Sequence, residues 1–432
     1  MRGPLRVGAF RRLYLVRLAG QFGDGVFQAS LAGAVLFNPE RSARASDIAA
    51  GFAVLLLPYS LVGPFAGVVI DRWSRQRILL VANLVRAVAV LGIAAEIAAD
   101  VGGVAFYASA LVIVSVNRFV LSSLSAALPH TVDRATLVGA NALSTTSGAV
   151  ATTAGGAVAI GLRSFVHASG GNTGYALIAA GSLLAYGGAA VAATRFARPA
   201  LGPDVLERAR RERAAVVVAG LVDGARHVRS HPGVFRALAM IGVHRFCYGI
   251  STICTLLLYR NYFHAEGFLR VGLAGLAQVV ALVATGGVLA AAVTPTMTRN
   301  VGLIRYPATL LLLAGATQLA FGLPYRLPFL LAAAFALGFV AQGVKISVDT
   351  TLQRGVADEF RGRVFALYDT LYNLMFVGAA VVTALLLPAD GRSPISIVII
   401  AVAYLGDSLW YRRFRTPIDS EAVPALAQHA AD

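Results

Sequence analysis

The sequence predicts an all-α integral membrane protein of twelve transmembrane helices arranged as two six-helix bundles. Three observations predict it: the excess of apolar residues, their grouping into runs long enough to cross a bilayer, and one long polar stretch in the middle. The 432 residues are 57% hydrophobic and only 13% charged, with a mean hydropathy of +0.72. Soluble domains hold about 45–50% apolar and about 25% charged residues. A single water-facing core cannot hide that excess, so the remainder must face lipid.

A helix needs roughly twenty apolar residues to span the hydrocarbon core. Runs of that kind occur near 13–37, 48–70, 78–99, 104–128, 137–162, 173–195, 236–259, 269–293, 304–323, 328–350, 363–387 and 394–411. The first follows Arg11 and Arg12 but is too long for a signal-peptide core and lacks its cleavage site, so it reads as a retained span. The polar stretch from about Arg195 to Arg236 separates six spans from six. The organisation read from this is an N-terminal bundle over 1–196, a linker over 197–235, a C-terminal bundle over 236–415 and a tail over 416–432.

Orientation follows from the arginines. The formal net charge is +16, and Lys345 is the only lysine, a bias expected of a GC-rich, bacterial genome. With both termini in the cytoplasm, most basic residues fall in cytoplasmic segments. Only Arg41, Arg44, Arg163, Arg260, Arg270, Arg326 and Arg392 fall on the other side, as the positive-inside rule requires. The basic clusters lack interleaved aromatics that stack bases, so no nucleic-acid partner is expected. The linker's Val216, Val217, Val218 and Leu221 alternate with Arg226 and Arg229 at helical spacing. That pattern predicts an amphipathic helix on the inner leaflet, either a plain linker or a regulatory element. Cys247 and Cys254 are a heptad apart and about 10 Å along one helix, too far for a mutual disulfide.

After the second span comes Gly67-x-x-x-Asp71-Arg72-x-Ser74-Arg75-x-Arg77. It resembles the signature cytoplasmic loop of the major facilitator superfamily, with Ser74 replacing its second Gly. Gly67 permits close helix approach, and Asp71 can meet a helix N-terminus or an Arg. The resemblance implies a cytoplasmic gate built from Gly67, Asp71, Arg72, Arg75 and Arg77. The matching stretch of the second half, Ala291 to Asn300, reads as a loop with Pro295 in the acid's place. Gly20-Gln21-Phe22-Gly23-Asp24-Gly25, Leu128-Pro129 with Asn141-Ala142, and Gln353-Arg354 with Arg361-Gly362-Arg363-Val364 are similar to segments of the twelve-span drug and siderophore exporter branch. The Gly-rich fifth span lacks that branch's Gly-Pro pair.

Ionisable groups inside a membrane are costly and mark pathways or relays. Asp24 lies deep in span one with Gln21 and Gln28 beside it. Arg118 resembles the superfamily's span-four Arg, followed here by Leu121 and Ser122 instead of Gln and Gly. Asp24 and Arg118 are expected either to relay protons or to form a static buried pair. Lys345 and Asp349 are four apart on span ten, as an interfacial pair or a cavity pair. Arg86, His244, Arg245 and Asp369 are further polar intruders, while Glu96 and Asp407 are expected to reach the interface. Tyr368, Tyr372 and Asn373 give span eleven a polar aromatic face that contacts substrate or simply packs.

No phosphate-binding Gly-x-x-x-x-Gly-Lys loop or zinc or nucleophile motif is present, so neither an enzyme nor a cofactor or metal is expected. The resemblance implies a monomeric proton-coupled exporter of a small hydrophobic or amphipathic molecule, embedded in plasma-membrane lipid. The alternatives are a lipid carrier, an importer, and a membrane sensor or assembly partner that no longer transports.

Overall fold

The computed structural model describes residues 4–36, 50–51, 53–54, 73–165, 171–202, 214–263, 272–356, 358–388 and 390–413. Twelve α-helices stand among them: α1 (Gly8–Leu36), α2 (Arg75–Ala98), α3 (Val104–Ala127), α4 (Arg134–Phe165), α5 (Gly171–Thr194), α6 (Ala214–Ser230), α7 (Pro232–Asn261), α8 (Gly272–Val301), α9 (Arg305–Thr317), α10 (Leu327–Gly355), α11 (Asp358–Leu386) and α12 (Pro394–Arg412). No strand occurs among the described residues. Helix α1 is span one, α2 to α5 are spans three to six, and α7 to α12 are spans seven to twelve. Span two falls mostly outside the described residues.

Eight helices are long and apolar enough to cross a membrane: α2, α3, α5, α7, α8, α10, α11 and α12. Helices α1 and α4 have the length, at 29 and 32 residues. Their hydropathy is diluted by Arg11, Arg12, Arg17 and Asp24 in α1 and by repeated Gly, Ser and Thr in α4. The ninth span is a 13-residue α-helix continued by a π-helical turn, Gln318–Gly322. Large apolar side chains stand exposed along the helices: Leu184 is 80% exposed, Val288 72% and Val402 62%. Water would not tolerate that coat. Lipid does.

The chain forms two compact units, described residues up to Val218 in one and those from Ala219 in the other. Both use one contact pattern. In the first unit α1 packs on α4 and α2 on α5; in the second α7 packs on α11 and α9 on α12. These are the first–fifth and third–sixth pairs of each set of six spans, which is the internal repeat of a transporter built from two halves. In the first unit Phe27, Val90, Ile113 and Tyr175 form one buried cluster, and Phe10, Leu79, Leu124 and Phe196 another. In the second, Met240, Leu311, Val344 and Tyr404 lie at the centre of the largest core.

Two expectations change. The stretch Ala291 to Asn300 is helical to Val301, with Pro295 inside α8. Thr298 Oγ1 donates to the Thr294 carbonyl at 2.9 Å, and Arg299 Nε to that of Pro295 at 3.3 Å. The proline forfeits only its own bond to the Ala291 carbonyl, a loss that membrane helices tolerate. Asp407, expected at the interface, is buried at 7% exposure although it lies near the end of α12. The polar linker does form a helix over Ala214–Ser230, ending on His227 and Arg229.

Candidate functional site

The deepest polar cluster of the first unit is built on α1, and three glycines let α1 reach it. A Cβ on Gly23 would come within 2.9 Å of the Tyr186 ring. A Cβ on Gly25 would collide with the Thr152 carbonyl of α4, and one on Gly155 with the Phe22 carbonyl of α1. Any side chain at these positions would push the backbones apart, so glycine sets how close α1 lies to its neighbours. The result places Asp24 against α2, α3 and α5 together.

There the carboxylate meets Arg86 of α2. Arg86 Nη1 donates to Asp24 Oδ1 at 2.7 Å and to Asn117 Oδ1 at 2.8 Å. Arg86 Nη2 donates to Asn83 Oδ1, one turn back on the same helix. Tyr186 of α5 donates its hydroxyl to Asp24 Oδ1 at 3.0 Å, and the Arg86 guanidinium lies 4.3 Å from the Tyr186 ring centre. Arg86 is fully buried and Asp24 is 4% exposed. Charge inside the cluster cancels, and the cation has three further supports besides the acid.

The partner of Asp24 is therefore Arg86 and not Arg118. Neighbouring residues on a helix point about 100° apart, so once Asn117 faces the cluster Arg118 is turned away and stands partly exposed. Gln21 and Gln28 are half-buried, and Gln21 Oε1 packs against Gly148 of α4.

The gate residues divide. Gly67, Asp71 and Arg72 lie outside the described residues. Arg77 is exposed. Arg75 is 3% exposed and ties its own unit together: its Nη1 donates to the Ala126 carbonyl at 3.1 Å and to the Leu201 carbonyl at 3.3 Å, and meets His130 Nε2 at 2.8 Å. Ser74 Oγ adds a bond to the Arg198 carbonyl at 2.6 Å.

In the second unit a cavity of about 430 Å³ is lined by Arg245, Tyr248, Gln342 and Tyr372, with Gly287 and Gly338. The Arg245 guanidinium lies 4.1 Å from the Tyr372 ring centre and 4.4 Å from that of Phe376, so aromatic faces hold the cation. His244, expected in this cavity, turns the other way. It is 2% exposed, with its ring 5.8 Å from that of Tyr404. Lys345 Nζ pairs with Asp349 Oδ2 at 2.9 Å and lies 5.6 Å from the ring centre of Tyr368, which is itself buried. Asp369 is exposed, and its carbonyl accepts from Asn373 Nδ2 at 2.8 Å. Among the described residues no cluster of His, Cys, Asp and Glu could hold a metal.

Sequence reasoning missed Asn83, Asn117 and Tyr186. Asn83 and Arg86 were legible as an i, i+3 polar pair on span three, but nothing in the sequence says which neighbour faces them.

Two repeated halves of membrane-crossing helices, with a buried ion pair in one and an open cavity carrying a cation in the other, define a polytopic transporter. Residues 15–380 match the sequence pattern of the Major Facilitator Superfamily, and the chain belongs to that family. It is a transporter, not an enzyme. It is 38% identical over 398 residues, 92% of this chain and 89% of the relative, to an uncharacterized MFS-type transporter of Mycobacterium tuberculosis and equally to one of Mycobacterium bovis. Among solved structures, a POT family transporter in complex with a thioalcohol conjugated peptide aligns at TM-score 0.66 and 10% identity, covering 96% of each chain. The nucleoside transporter NupG aligns at TM-score 0.63 and 12% identity, over 94% of this chain and 96% of NupG. These two share the fold alone.

Proposed function

We propose that the chain is a proton-coupled secondary transporter that exports a small hydrophobic or amphipathic molecule by alternating access of its two helical halves. The observation that carries this reading is the buried Asp24–Arg86 pair. A charge pair midway along a membrane helix is costly enough to mark a relay or pathway. Protonating Asp24 would remove one charge, yet Arg86 would keep Asn83, Asn117 and the Tyr186 face. The cluster can thus pass between two charge states without stranding a bare cation, as a proton carrier must.

Arg245, Tyr248, Gln342 and Tyr372 are the substrate-facing groups of the second half, and Lys345 with Asp349 is its coupling candidate. The resemblance of Gly20–Gly25 and the later segments to the drug and siderophore branch supports export as the direction. The arginine bias supports a reading with both termini in the cytoplasm of a bacterial cell and with Gly67, Asp71, Arg72, Arg75 and Arg77 gating the inner side of a monomer. The halves are 1–196 and 236–415, joined by the linker 197–235 and followed by a tail over 416–432.

The test is reconstitution into vesicles with an imposed pH gradient and a lipophilic dye as cargo. Asp24→Asn should abolish gradient-driven dye movement while leaving dye exchange at equal pH. Gradient-driven transport that survives Asp24→Asn would remove Asp24 from the coupling step.

A further inference from the structure

The second unit holds another cavity, of about 180 Å³, among α7, α8, α10, α12 and the π-helical turn. Its lining includes Leu258, Leu276, Leu330 and Ile397. These place it at the end of the unit where α7 finishes and α8, α10 and α12 begin. The walls are mainly aliphatic. The hydroxyls reaching them are already engaged: Ser251, Thr252 and Thr255 each donate to the carbonyl one turn back, at 2.8–2.9 Å. Gln318 Nε2, brought inward by the π turn, donates to Ser251 Oγ at 2.6 Å. With those donors spent, water gains little there, and apolar cavities of this kind stay open to apolar guests.

Tyr325 lines the same cavity, and its backbone is left-handed, with φ of 51°. That conformation is rare for a bulky residue and tends to persist where function requires it. Its hydroxyl accepts from the Ser393 amide at 3.0 Å. Beyond its ring, at 5.5 Å from the ring centre, lies the Arg392 guanidinium, which also lies 4.8 Å from the Tyr262 ring centre. Arg392 is exposed; the neighbouring Asp390 carboxylate accepts from its backbone amide at 3.0 Å, and its guanidinium makes no salt bridge within 4.0 Å among the described residues. An aliphatic cavity thus ends at a strained tyrosine with an exposed guanidinium beside it.

We propose that this cavity binds the acyl end of a single-chain amphipathic anion, with the anionic head on Arg392. The cavity slightly exceeds the roughly 150 Å³ apolar cavity that holds benzene, so it takes roughly six to eight carbons. The site lies wholly in the second unit and does not rest on the proton-coupling reading.

The test uses the full chain in nanodiscs and a medium-chain fatty acid carrying a terminal diazirine, with adducts mapped by peptide mass spectrometry. Adducts should concentrate on the α7, α8 and α10 segments that line the cavity, and unlabelled octanoate should compete. Lengthening the unlabelled competitor should tighten its binding about fourfold per methylene (~0.8 kcal/mol) until the cavity is full. Ala334→Leu, which fills the cavity, should lower labelling roughly tenfold. Arg392→Gln should lower labelling by the acid roughly tenfold and leave that of the matched alcohol unchanged. Asp24→Asn should leave labelling intact, which separates this site from the transport reading. Adducts spread evenly over the lipid-facing flanks, or an equal response of acid and alcohol to Arg392→Gln, would overturn the proposal. If Ala334→Leu does not fold, the acid and alcohol comparison at exposed Arg392 still decides. A competitor that works only as a two-chain phospholipid, and not as a free fatty acid, would also overturn it.

Discussion

The Asp24–Arg86 pair makes an unequal prediction for its two partners. Asp24→Asn keeps the shape and an acceptor, but exchanges an ion pair at 2.7 Å for a bond from the cation to a neutral amide oxygen. Bonds to charged groups contribute about 1.5–3 kcal/mol. Two amide oxygens and an aromatic face still hold Arg86, so the loss should be about 2 kcal/mol. Arg86→Met is harsher. It leaves a carboxylate that is 4% exposed with neutral neighbours alone, the Tyr186 hydroxyl at 3.0 Å among them. Stranding one member of a buried pair costs about 3–5 kcal/mol.

The double variant strands no charge, only the Asn83 and Asn117 amide oxygens that Arg86 had bonded. Independent effects would sum to about 5–7 kcal/mol, whereas a true pair should leave the double variant only about 2–3 kcal/mol below the parent. Reversible unfolding in mixed micelles, followed by circular dichroism, gives all four free energies. A double variant equal to the sum of the singles within about 0.5 kcal/mol, or an Arg86→Met change milder than Asp24→Asn, would refute the assignment.

Three further outcomes follow from the packing. Gly25→Val should destabilise the first unit by about 1–3 kcal/mol, because its Cβ meets the Thr152 backbone and no flexible side chain can yield; a raised or unchanged melting temperature would contradict the close α1–α4 approach. Arg75→Leu should cost about 2–3 kcal/mol by orphaning the Ala126 and Leu201 carbonyls, while exposed Arg77→Leu should leave melting unchanged. Lys345→Met should change stability by no more than about 0.5 kcal/mol, since the pair with Asp349 is partly exposed and lies along one helix. Any large loss of transport in a well-folded Lys345→Met protein would therefore report a cavity role.

Most of the fold was legible because lipid simplifies the code. Length and hydropathy alone locate a membrane helix, and the boundaries read for spans three, four and six to twelve agree with the helices to within several residues. Pro295 misled that reading, since a proline that tends to end a helix in water is tolerated inside membrane helix α8. The site was less legible. Depth along a helix can be read from sequence, so Asp24 and Arg86 both stood out as buried charges. Azimuth cannot, because the lipid-facing and inward sides of these helices are both apolar. The choice between Arg86 and Arg118 turned on a 100° rotation, and only the direction of Asn117 settles it.

That same geometry explains why the pair need not be a static strut. A strut is best served by one acid and one base that exhaust each other. Here a buried guanidinium with five N–H donors is shared among one carboxylate oxygen at 2.7 Å, the Asn83 and Asn117 amide oxygens and the Tyr186 face. Buried polar groups are expensive to maintain, and apolar residues of similar volume would stabilise the bundle as well or better. Those amide acceptors hold the cation in either charge state of the carboxylate and carry more of it when the carboxylate is neutral. Asn117→Leu should therefore weaken the protonated, Asp24→Asn form of the bundle more than the parent, by roughly the 1–2 kcal/mol of one buried hydrogen bond to a charge. Equal destabilisation in both backgrounds would mean that Asn117 merely packs, and the case for a two-state cluster would fail with it.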